Sequence, residues 1–121
     1  GNLPGTIADQ IREILFVADS PADTQKLAQV REIFADLQRG TIKRSLLTAN
    51  ANDYFSATAL ADFKAGLGPL GTPKEFELKR QGVRGGFVTR AYLVKLAKTT
   101  LEVVTRATPE GKFEEYQVNV E

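Results

Sequence analysis

The sequence predicts an α+β fold, with helices at about residues 7–67 packed on a curved four-stranded antiparallel meander at about 73–120. Three observations predict it. The segment from Thr72 to Glu121 carries period-2 runs separated by turn residues. The segment before it carries apolar residues at helical spacing behind good N-cap residues. The connections between the runs are too short for parallel crossovers, so consecutive strands must be antiparallel neighbours.

In the sheet half, Phe76 and Leu78 alternate with Glu75, Glu77 and Lys79, the pattern of a strand with one wet face. Residues 87 to 97 are apolar on both faces, with Val88, Tyr92, Val94 and Leu96 on one and Phe87, Ala91 and Leu93 on the other. This predicts a central strand. Leu101, Val103, Thr105 and Ala107 share one face of the third run, and Tyr116, Val118 and Val120 share one face of the fourth. Gly82 with Gly85-Gly86, Lys98-Thr99, and Thr108-Pro109-Glu110-Gly111 supply the turns.

In the helical half, Thr6 and Asp9 cap a first predicted helix with Ile7, Ile11, Ile14, Leu15 and Ala18 as its stripe. Ser20-Pro21 starts a second, which buries Leu27, Val30, Ile33, Phe34 and Leu37 and stops at Gly40. Thr48 caps a short turn carrying Tyr54 and Phe55. Ser56 caps a third helix over 57–67 that buries Leu60, Phe63 and Leu67, and Gly66, Gly68, Pro69 and Gly71 end it.

A chain of 121 residues buries roughly two-thirds of its unfolded surface, enough for one core, and nothing in the sequence divides it: it reads as a single α+β domain over 1–121. Sixteen basic and fifteen acidic residues leave a net charge of +1, which argues against a nucleic-acid partner. No apolar run reaches membrane-spanning length, so no membrane partner is expected. Cysteine is absent, which excludes disulfides and thiolate metal sites. Histidine is absent too, which removes the commonest metal ligand and the usual triads. Neither metal nor cofactor is expected. The lack of methionine, with Gly1 as a residue left by cleavage, leads us to expect a mature exported protein or a domain from a longer one.

The order Leu37-Gln38-Arg39-Gly40, Ser45-Leu46-Leu47-Thr48, Tyr54-Phe55, Leu67-Gly68-Pro69-Leu70-Gly71 and Pro109-Glu110-Gly111-Lys112-Phe113 resembles a bacterial domain family. That family stands behind the catalytic domain of secreted serine hydrolases of the β-lactamase and penicillin-binding-protein-like type. More distantly, the chain is similar to the nuclear-transport-factor-two-like (SnoaL-like, cystatin-like) cone fold. Over residues 23–120 the resemblance implies an accessory domain of an exported, periplasmic or extracellular protein, with an upstream catalytic domain as partner. The hydrolases' Ser-x-x-Lys motif is absent, so no catalytic residue carries over.

Gly66-Leu67-Gly68-Pro69-Leu70-Gly71 spells the dinucleotide fingerprint, but a helix precedes it, a strand follows it and Pro69 deletes an amide. It therefore reads as a helix stop. Lys79, Arg80, Arg84 and Arg90 either grip an anion or solvate a hairpin. Arg90 shares a face with Val88, Tyr92 and Val94, so it meets an anionic ligand or pairs with Glu102 or Glu114.

The expected function is a non-catalytic accessory or small-molecule-binding domain. Its ligand would lie between sheet and helices, touched by Tyr92, Arg90, Tyr116 and Tyr54. One alternative is a free-standing cone-fold enzyme of isomerase, dehydratase or cyclase type. It would use a carboxylate and phenol pair drawn from Asp53-Tyr54, or from Asp62 with Tyr92 or Tyr116. Another is a dimerisation module, a homodimer built on Phe87, Ala91 and Leu93.

Overall fold

The computed structural model describes residues 21–121. The helix expected around Ile7 to Ala18 and the Ser20 cap lie outside the described residues. Two compact units divide the chain between Val30 and Arg31. In the first, residues 21–30 are helical, Asp23 and Val30 are buried, and Lys26 Nζ donates to Gln29 Oε1 at 2.9 Å.

The second unit holds helices followed by the sheet. Helix α1, Pro21–Arg39, ends there as the sequence predicts. Gly40 stands at φ +82°, its amide donates to the Leu37 carbonyl at 3.0 Å, and the Thr41 amide donates to the Asp36 carbonyl at 2.9 Å. This pair of bonds is the Schellman arrangement, which needs a left-handed residue and so favours glycine. Ile33, Phe34 and Leu37 are buried, and the Phe34 ring meets Phe76 edge-on at 5.8 Å, packing the helix against the sheet.

A 3-10 turn over Arg44–Leu46 leads to helix α2, Ala49–Tyr54, and then to helix α3, Ala57–Leu67. Thr48 and Ser56 cap these helices, their hydroxyls accepting from the Ala51 and Ala59 amides, each at 3.2 Å. Leu67 is buried as expected, while Leu60 and Phe63 are only half-buried. The glycine-rich segment is a helix stop: a 3-10 turn over Gly68–Leu70, then Gly71 at φ +81° and the first strand. Gln38 Nε2 ties this corner to α1, donating to the Leu67 carbonyl at 3.0 Å and the Gly71 carbonyl at 2.7 Å.

The sheet is a meander in the order β1 (Glu75–Arg84), β2 (Phe87–Lys95), β3 (Thr100–Ala107), β4 (Phe113–Val120). Gly85 and Gly86, at φ +58° and +84°, join β1 to β2 by a two-residue loop whose two positive φ angles match the sheet's twist. Gly82 is not part of that turn: β1 runs through it to Arg84. A bulge at Lys79 shifts the register of β1, so Gln81 rather than Arg80 shares a face with Leu78. Phe76, Tyr92, Val94, Leu101, Val103, Ala107 and Phe113 are buried on the helix-covered face.

Gly40→Ala puts a Cβ 3.2 Å from Lys64 Cδ and forces an L-residue into the left-handed region. It should lower unfolding free energy by about 1–2 kcal/mol. Urea denaturation checks this, and an unchanged midpoint would contradict the capping argument.

Candidate functional site

Register decides what the sheet's inner face presents. Gln81 pairs with Arg90, Arg90 with Thr105, and Thr105 with Tyr116, so one cross-strand row over all four strands is polar. Directly opposed residues hold their Cβ atoms about 4.5–5.5 Å apart. The next row, Leu78, Tyr92, Val103 and Val118, is apolar apart from the Tyr92 hydroxyl. Arg90, Tyr92, Thr105 and Tyr116 are all buried, whereas Gln81 at the row's end is exposed.

Arg90 Nε donates to Gln81 Oε1 at 3.1 Å. The carboxylates expected to pair with Arg90 are engaged elsewhere: Glu102 with Arg80 at 3.2 Å, and Glu114 with Asn50 Nδ2 at 3.1 Å. The bulge explains the difference, since it brings Gln81 into line with Arg90 and turns Arg80 to the outer face beside Glu102. The basic residues of the first hairpin are thus divided between faces. Arg80 and Arg84 line an outer depression of about 470 Å³ with Thr89, Ala91 and Val104, and Arg90 lies inside.

Thr105 Oγ1 is buried and has no hydrogen-bond partner among the described residues. Burying a hydroxyl in this way costs about 1–3 kcal/mol. Sequence reasoning placed Thr105 on the inner face but gave it no role, because alternation reports facing and not hydrogen-bond satisfaction. Burial, followed by the neighbouring Tyr92 phenol, pushes the Tyr116 phenol well above the ordinary tyrosine range.

Tyr54 is not buried as Arg90 and Tyr92 are. It is 63% exposed and meets Phe55 edge-on at 5.0 Å. It does reach Tyr116, for the two share a depression of about 160 Å³ with Phe55, Glu114 and Gln117. Arg44, which the sequence did not single out, fixes this corner. Its guanidinium donates to the Asn52 carbonyl at 3.1 Å and the Phe55 carbonyl at 2.8 Å, satisfying carbonyls that the end of α2 leaves unpaired. Glu114 stays anionic on the same rim, held below the usual glutamate range by the Thr48 hydroxyl and then the Asn50 amide, against a smaller opposing effect of burial, with the charge of Arg106 the weakest contribution.

Asp53 and Asp62 are exposed on their helices. Phe87 and Leu93 are half-buried on the outer face, and Ala91 is buried there. The Arg106 guanidinium lies 4.7 Å over the Phe87 ring. Among the described residues, no group of three acidic side chains is placed to hold a metal ion, and no helix is long and apolar enough to cross a membrane. Comparison of the chain with protein-family models, curated proteins and solved structures gives no match.

The buried Tyr116 phenol predicts an alkaline limit to stability. With the folded pKa raised, the unfolded chain loses its proton first, so the Tyr116 contribution is intact below about pH 10 and is lost as pH rises beyond it. Tyr116→Phe should flatten the fall in unfolding free energy between about pH 10 and 11. Parallel curves for the two proteins would contradict this.

Proposed function

We propose that this chain is a non-catalytic small-molecule-binding domain whose ligand is a small organic anion held by the polar row Arg90, Thr105 and Tyr116, with Tyr92 beside it. The observation that carries the reading is Thr105. A buried hydroxyl without a partner among the described residues, set between a guanidinium and a phenol, is a cost to folding that a ligand oxygen would remove. The depression shared by Tyr54 and Tyr116 lies beside the Tyr116 end of the row.

The exposed positions of Asp53 and Asp62 give the carboxylate and phenol alternative no support. The wider setting, an accessory domain beside the catalytic domain of an exported serine hydrolase, rests on the sequence resemblance. A parent reading frame with an upstream Ser-x-x-Lys domain would support it, and one without such a domain would remove it.

Benzoate is a suitable probe, with a carboxylate for Arg90 and Thr105 and a ring for the aromatic wall. Titration followed by amide chemical shifts should give saturable changes centred on Arg90, Thr105 and Tyr116. Thr105→Val should abolish them while raising stability in urea by about 1 kcal/mol, since it removes an unsatisfied hydroxyl. A destabilised Thr105→Val protein, or shifts scattered over the surface, would refute the reading.

A further inference from the structure

The two edges of the sheet are built differently. The outer edge of β1 is broken by the bulge at Lys79 and carries Lys79, Arg80 and Arg84, the devices that keep an edge strand from pairing with other chains. The β4 edge contains no lysine, arginine or proline, and its register shift, at Glu114, lies at the end away from Val118 and Val120.

The ladder fixes which β4 groups face outward. The Glu121 amide donates to the Thr100 carbonyl at 3.0 Å, and Val120 pairs with Leu101. In an antiparallel pair, hydrogen-bonded and non-hydrogen-bonded positions alternate. Asn119 and Gln117 therefore turn their backbone groups toward β3, while Val118 and Val120 turn theirs away from it. Val120 is 81% exposed and Val118 half-buried, and among the described residues no further strand of the sheet lies beyond β4 at this stretch. The edge already accepts a strand at its other end: Leu47 forms a parallel bridge with Phe113, and the Thr48 amide donates to the Phe113 carbonyl at 2.9 Å, before α2 leads the chain away.

Beside this part of the edge, α3 and the 3-10 turn after it form the wall of a groove of about 400 Å³, lined by Phe63, Leu67, Leu70, Val118 and Val120. A strand edge next to an apolar, helix-walled groove is the arrangement by which proteins bind extended peptides. The edge supplies main-chain hydrogen bonds, and the groove takes every second side chain. We propose that the β4 edge from Val118 to Val120, with this groove, binds an extended peptide segment that alternates aliphatic and basic residues.

Charge selects the basic residues. The peptide's side chains that do not enter the groove lie along the other face of the sheet, where Glu115 and Glu121 flank Gln117 and Asn119 and β4 carries no basic residue. Opposite charges across a strand pair favour pairing and like charges oppose it. The same rule disfavours a second copy of β4 on this edge.

The test uses an eight-residue peptide of alternating valine and lysine, capped at both ends, and hydrogen exchange read by nuclear magnetic resonance. The peptide should bind saturably, slow exchange of the Val118 and Val120 amides, and shift Leu67 and Leu70. Methylating the peptide's backbone nitrogens along one edge should weaken binding about tenfold or more, without touching the protein. Val118→Pro, which removes one outward N–H and none from the ladder, should do the same. No saturable binding, binding without protection at Val118 and Val120, or equal binding by the methylated peptide would overturn the proposal. So would sedimentation showing that copies of the chain occupy the edge themselves.

Discussion

The antiparallel register of the four strands is the constraint on which the rest depends. Because side chains alternate faces, one extra residue at Lys79 decides which of Arg80 and Gln81 joins Arg90 inside. With Gln81 there, the inner face carries a polar row, and Arg80 is released to pair with Glu102 outside. The hairpin at Gly85-Gly86 fixes the starting point of that register, and the third turn closes it with the Gly111 amide donating to the Thr108 carbonyl at 2.8 Å.

The fold was largely legible because its signals are local. Thr48 and Ser56 cap the helices they precede, Gly40 ends the long helix, and paired glycines turn the first hairpin, each for a reason contained within a few residues. The candidate site was legible only in part. Alternation put Arg90, Tyr92 and Tyr116 on one face, but Tyr54 is exposed and shares a depression with Tyr116. Arg90's hydrogen bond to Gln81 depends on a bulge that leaves no mark in the hydrophobic pattern. Thr105 and Arg44 went unassigned for the same kind of reason. The unsatisfied state of one and the carbonyl-capping role of the other arise from contacts across the fold.

Two surfaces of different chemistry emerge on one small scaffold. The inner row offers fixed polar atoms in a dry setting, where a hydrogen bond is strong and an unmade one is costly. The β4 edge offers backbone groups and an apolar groove in contact with solvent, where selectivity would come from alternation and charge. They do not compete for the same residues, so each can be altered without the other.

The central claim is that the Thr105 hydroxyl, rather than the bulk of its side chain, is kept for a ligand. Calorimetric titration of benzoate into Thr105→Ser and Thr105→Val tests it most directly, since serine retains the hydroxyl and valine retains the shape. The account predicts that the serine variant binds and the valine variant does not. Equal behaviour of the two would contradict it.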